Sequence, residues 1–276
     1  MDFRPPIAVF GKVFQELKLD FEASAAITAE AGLQGIDCAV RPGGEVLPER
    51  AAEELPRYAA ALGKHGVRML LLTTGITTVA SPHAEALLSA GKKLDLRYYR
   101  LGYWNHRPDR PAEKLRAEIR ASLGDLAAFN RTLGVCALMQ NHSSDPGANA
   151  RAGGDLVELY DLVKDVDPEA VGVAFDLGHA IITHGDDWPA HFERLKDHIR
   201  VAYVKDVRRP ASFVPFGQGE FGRTDFFRRL RALHYQAPLS LHIEYEWAPK
   251  NQLTRPALLS ALRSSRQALE GWLKAA

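Results

Sequence analysis

Residues 175–179, FDLGH, put a carboxylate (Asp176) and an imidazole (His179) three positions apart at the end of an apolar run. A pair that close can hold a metal ion, or the carboxylate can cap the helix that follows. The pair has company. Gln140, Asn141 and His142 end a second apolar run, Tyr203, Lys205 and Asp206 a third, and His242, Glu244 and Glu246 a fourth; Lys12 and Arg100 mark two more. In extended chain, positions i and i+2 share a face. Gln140 therefore points with His142, Tyr203 with Lys205, and His242 with Glu244 and Glu246. Such residues are poor core material, because a buried carboxylate or ammonium needs an ionic partner, a metal or a ligand. Taken singly each has a plainer use: a cap, a loop histidine, a surface ion pair, a tie between strands. Several at once suggest a site.

The elements that must position them are short and regular. Eight mostly apolar runs are bounded by Gly, Pro or charge: 7–14, 35–40, 67–74, 98–104, 135–142, 171–176, 199–206 and 238–246. They read as strands buried on both faces. Between them lie amphipathic stretches at 21–32, 49–66, 111–134, 155–166 and 225–235, and a last one from Arg255 to the end. Glycines 32, 66 and 134 close the first three as C-caps, and Pro56 is expected to kink the second. Eight βα units predict a single (β/α)8 barrel over residues 1–276. A doubly wound open sheet is the main alternative, but FGKVFQ after the first run is not a glycine-rich phosphate turn. In a barrel, chemistry belongs at the C-terminal ends of the strands, where the polar residues stand.

Composition narrows the partners. The formal net charge is +1 and 46% of residues are hydrophobic. Nothing in that balance draws the chain to nucleic acid or to an anionic membrane. No uncharged run approaches the ~20 residues that span a bilayer, and MDFRPPIAVF lacks the features of a signal peptide, so a cytoplasmic protein is expected. Cys38 and Cys136 have no CxxC spacing and read as small buried hydrophobes. Homo-oligomers are common for such barrels, and the sequence carries no specific interface signal.

FDLGHA (175–180), VKD (204–206), FGQGEFGRTDFF (216–227) and APLSLHIEYE (237–246), with TTGI, YYRLGYW and MQNHS, resemble the xylose isomerase-like TIM barrels, the sugar phosphate isomerase/epimerase and AP endonuclease family 2 group. The resemblance covers most of the chain. It implies a sugar isomerase or epimerase acting on a ketose, polyol or keto-sugar through an enediolate, assisted by a divalent ion (Mn, Mg, Zn or Co) held between strands five to eight. The family ligands are Glu, Asp, His and Glu. Asp176 fills the second place; Gln140 stands for the first, Tyr203 for the third, and SLH puts His242 in the fourth, with Glu244 two residues on. The implied ligand set is Gln140, Asp176, His179, His242 and Glu244, poorer in negative charge than the family's.

Proton abstraction beside a carbonyl would follow. A metal, or a cationic donor such as Lys205, polarises the carbonyl and stabilises the enediolate, and Glu244 takes the proton. Lys12, Arg100, Trp104, His142, His179 and Glu220 would line the carbohydrate pocket. The altered ligands keep two other outcomes open: a keto-sugar lyase or dehydratase of 3-keto-glycoside or inosose type, and a sugar-binding barrel without catalysis. A nuclease would need three metals and a basic face, and the sequence supplies neither.

Overall fold

The computed structural model describes residues 3–143, 150–245 and 253–276. Eight parallel strands close into a barrel: β1 (Ile7–Phe10), β2 (Gly35–Val40), β3 (Arg68–Thr74), β4 (Tyr98–Arg100), β5 (Cys136–Gln140), β6 (Val171–Asp176), β7 (Ile199–Val204) and β10 (Leu239–Leu241). A two-stranded antiparallel ribbon, β8 (Val207–Arg208) with β9 (Ser212–Phe213), stands outside it. The barrel closes where β1 pairs with β10, Ile7 opposite Leu239 and Val9 opposite Leu241.

All residues of β1, β2, β5 and β6 are buried, as strands covered on both faces must be. The larger apolar cluster fills the space between strands and helices. A smaller one, Leu71, Cys136, Leu138, Ala174, Val201 and Tyr203, brings together residues of β3, β5, β6 and β7. Both cysteines are free and buried.

Several strands stop earlier than the apolar runs. His142, Lys205, His242 and Glu244 lie past the ends of β5, β7 and β10, where the backbone leaves the ladder at the barrel mouth. Glu246 is outside the described residues. Pro56 lies inside the helix Ala51–Lys64. Four helices, Lys12–Glu16, Ala84–Lys93, Leu177–His184 and Trp188–Leu195, lie outside the amphipathic stretches expected from the sequence. Among the described residues, no helix is long and apolar enough to cross a membrane.

Candidate active site at the barrel mouth

Asp176 serves two purposes. As the last residue of β6 it is the N-cap of the helix Leu177–His184, one oxygen accepting from the His179 backbone N–H at 3.2 Å. Its Oδ2 accepts from Gln140 Nε2 at 2.9 Å and pairs with Lys205 Nζ at 3.1 Å. Asn141 locks the backbone there, donating to the Asp176 carbonyl and accepting from its N–H, both at 2.8 Å.

The Lys205 ammonium stands at the centre of the group. Besides Asp176 it meets Glu244 Oε2 at 2.7 Å and His179 Nε2 at 3.0 Å. An ammonium only donates, so His179 Nε2 accepts and its proton is on Nδ1, which donates to Ser143 Oγ at 2.7 Å. All three ammonium hydrogens are thereby engaged. Burial works against the charge on Lys205, but Asp176 and Glu244 hold its pKa above the ordinary value. Burial also pushes Glu244 up; the charge of Lys205 overcomes it and holds that carboxylate well below its usual range. Asp176 is driven upward by burial. Burial, and then Lys205, keep His179 far below 6.5, so it is neutral.

The backbone makes room for this lysine. A Cβ on Gly178 would lie 2.5 Å from Lys205 Cγ and 3.0 Å from the Lys205 carbonyl. The glycine of FDLGH thus lets the helix start against the lysine stem. Beside Lys205, Asp206 accepts from four backbone N–H groups, those of Val207, Gly217, Gly219 and Phe221, at 2.8–3.1 Å. That carboxylate pins the glycine-rich segment back on the end of β7.

A second chain of polar groups runs across the floor. Thr73 Oγ1 and Ser240 Oγ donate to the two oxygens of Asp37 at 2.8 and 2.7 Å. With its hydrogen so used, Ser240 accepts from His242 Nε2 at 3.1 Å. His242 Nδ1 is then a bare acceptor, buried without a hydrogen-bond partner among the described residues and 3.8 Å from Glu244 Oε1. The Tyr203 hydroxyl beside it is also buried and has no hydrogen-bond partner among the described residues, the two rings 4.6 Å apart. Burial, then Lys205, push His242 down to about 4; burial, then Arg151 and Lys205, push His142 down to about 3. Both imidazoles are neutral at neutral pH.

These groups face a cavity of about 160 Å³ at the C-terminal mouth. Of the residues expected from the sequence, Lys12, Arg100, Gln140, His142, Lys205, His242 and Glu244 line it. Asp176 and His179 lie behind Lys205. Two lie elsewhere: Trp104 is half-buried against the apolar core, and Glu220 binds the backbone and guanidinium of Arg209, both at 2.8 Å, beside a separate surface recess. Arg41, Tyr103, Arg151 and Thr73 also line the cavity without having been anticipated. Arg41 and Thr73 did carry a signal: each stands at the end of an apolar run.

The residues of the expected metal set have other partners in this geometry. Among the described residues, no three His, Cys, Asp or Glu side chains are grouped to hold a metal ion. The place between Asp176, His179 and Glu244 belongs to the Lys205 ammonium, Gln140 turns its amide N–H toward Asp176, and His242 Nε2 is committed to Ser240. A divalent ion there would face an ammonium charge at close range, so the side chains do not fit it.

A closed parallel barrel whose polar groups gather at the C-terminal mouth defines a (β/α)8 protein with its site where such barrels carry theirs. More narrowly, residues 25–274 match the xylose isomerase-like TIM barrel family, and the chain belongs to it. None of the curated proteins matches the chain by sequence. Similar solved structures include the apo form of 3-keto-D-glucoside 4-epimerase from E. coli (14% identity, TM-score 0.71, covering 99% of this chain and 100% of that one). A xylose isomerase domain protein from Alicyclobacillus acidocaldarius is similar at 15% identity and TM-score 0.75, covering 98% and 99%. The probable 3-DHS dehydratase from Bacillus anthracis is similar at 13% identity and TM-score 0.69, covering 94% and 97%. At such identities the likeness is one of fold.

Proposed function

We propose that this barrel is an enzyme that moves a proton on the carbon beside a carbonyl of a small carbohydrate, with the Lys205 ammonium supplying the positive charge. The observation that carries this reading is the engagement of Lys205, whose partner Glu244 faces the cavity. A carbonyl oxygen entering the cavity replaces Glu244 on the ammonium. The released carboxylate loses the charge that held its proton affinity down, and becomes the base for the adjacent C–H. The electron pair moves onto the carbonyl oxygen, and the enediolate oxyanion stays on Lys205. Return of the proton to the neighbouring carbon, with the hydroxyl proton passing to the former carbonyl oxygen, isomerises the sugar; delivery of a proton to the opposite face of the same carbon by a second donor epimerises it.

Two further features support a carbohydrate. The orphaned pair, Tyr203 O–H as donor and His242 Nδ1 as acceptor, matches the two-way hydrogen bonding of a sugar hydroxyl. The cavity, about 160 Å³, is below the ~300–1,000 Å³ of pockets for drug-sized ligands, so it suits a small molecule. A second reading, a keto-sugar dehydratase or lyase, is favoured by Glu244 being the one carboxylate among the described lining residues. In a same-face elimination one carboxylate can take the C–H proton and hand it to the leaving oxygen, whereas inversion needs a base on one face and an acid on the other.

The test is solvent deuterium incorporation, followed by NMR in D2O with chelator present, across ketoses, inososes and 3-keto-glycosides. Exchange at the carbon next to the carbonyl is expected, reduced at least ~100-fold in Glu244→Gln and lost in Lys205→Met. Sugar binding with no exchange at any carbon would make the barrel a binding protein. Exchange that chelator abolishes and a divalent metal restores would remove Lys205 from the central role.

A further inference from the structure

Besides Lys205, the cavity is lined by two arginines, Arg41 and Arg100, that form no ion pair among the described residues. Arg100 is 2% exposed. Its guanidinium donates to the Leu101 carbonyl and stacks on Tyr103 at 4.5 Å. Arg41 is half-buried with its guanidinium 5.7 Å from the Phe10 ring centre. Among the described residues, neither has a carboxylate within ion-pairing distance. The carboxylate of Asp37 on the floor attracts both from a distance but forms an ion pair with neither, and its oxygens accept from Thr73 and Ser240. Burial, and then the charge of Arg100, lower Arg41 from its ordinary value, so the two guanidiniums repel each other. Lys12 lines the same space, as does Arg151, which stacks on Tyr103 at 3.9 Å and is engaged by other groups as well. Lys205, by contrast, is matched by Asp176 and Glu244.

A guanidinium held out of water without an ion pair, as that of Arg100 is, is costly, and the charge of half-buried Arg41 beside it adds to the cost. Arginine's planar fork suits a carboxylate or phosphate, which it grips with two parallel hydrogen bonds. We propose that the substrate is an anionic carbohydrate, a sugar carboxylate or sugar phosphate, whose charged end is received by Arg41 and Arg100 while its carbonyl end is presented to Lys205 and Glu244. The proposal deepens the proton-transfer reading, and its test uses binding alone so that the two can fail separately.

Calorimetry would compare fructose with fructose 6-phosphate and glucose with glucuronate, at low and high salt, with inorganic phosphate as a competitor. At least ten-fold tighter binding of one anionic member over its neutral counterpart is expected, weakening as salt rises. Preference for glucuronate alone assigns a carboxylate; preference for the phosphate ester alone, with competition by phosphate, assigns a phosphate. Arg41→Met, at a half-exposed position that folding tolerates better than Arg100→Met, should bring the preference down to within about two-fold. Lys205→Met should retain it. Equal binding of neutral and anionic sugars by the native protein, or an undiminished preference in Arg41→Met, would overturn the proposal, whatever the deuterium experiment shows.

Discussion

Lys205 and Asp37 show how differently two buried charges can be treated within one barrel. Lys205 is surrounded by opposite charge, whereas Asp37 is fully buried and held by two hydroxyls. Burial pushes the Asp37 carboxyl up from 3.8 to about 6. The stability linked to it is therefore present below pH 3.8 and lost as pH rises through 6. At about 1.4 kcal/mol per pH unit of displacement this amounts to about 3 kcal/mol. The buried neutral histidines 142 and 242 act in the opposite sense over an overlapping range, so a difference measurement is needed. Urea unfolding of the native protein and Asp37→Asn should show the variant gaining ~2–3 kcal/mol relative to the native protein between pH 4 and 7. A constant difference would mean that Asp37 does not titrate there. Asp37 was not legible in GIDCAV, because one carboxylate in an apolar run does not reveal which hydroxyls will meet it. Lys205 was legible as a strand-end cation; that it would stand among Asp176, His179 and Glu244 depends on three elements brought together by closure of the barrel.

Elements meet most tightly where β6 turns into the helix Leu177–His184. Asp176 ends one and caps the other, and Gly178 leaves the gap through which the lysine stem passes. Gly178→Ala favours the helix by propensity, by up to ~1 kcal/mol, yet drives a methyl into Lys205. Melting of the variant should show net destabilisation of about 1–3 kcal/mol from overpacking, with slowed deuterium exchange. A variant more stable than the native protein with unchanged exchange would show that the gap is unimportant. The strands were readable from apolar runs and the longer helices from their periodicity. The helix Leu177–His184 was not, since LGHAIITH is apolar around most of its circumference and offers no stripe. Ala84–Lys93 does carry an apolar face, Ala84, Leu87, Leu88 and Ala90, but over ten residues that include a serine and a glycine the stripe is short.

The whole molecule closes through a short seam, β1 against β10, with Leu241 fully buried between Val9 and Val204. A closed sheet has no free edge at which to fray. Leu241→Ala should therefore lower stability by about 2–5 kcal/mol while circular dichroism and tryptophan fluorescence still report coincident unfolding. Separated transitions would mean that the seam opens on its own. Barrel closure was legible because eight runs recur with long crossovers; the charge excess at its mouth was not, because Arg41 and Arg100 belong to strands far apart in the chain. The ammonium of Lys205 has a consequence for the cell as well as for the chemistry. A charge attached to the polypeptide is delivered by translation itself, once per molecule, and needs no trace-element supply or insertion step. It cannot be lost to a competing protein, so in the proposed reaction every correctly folded copy would begin life with its electrophile in place.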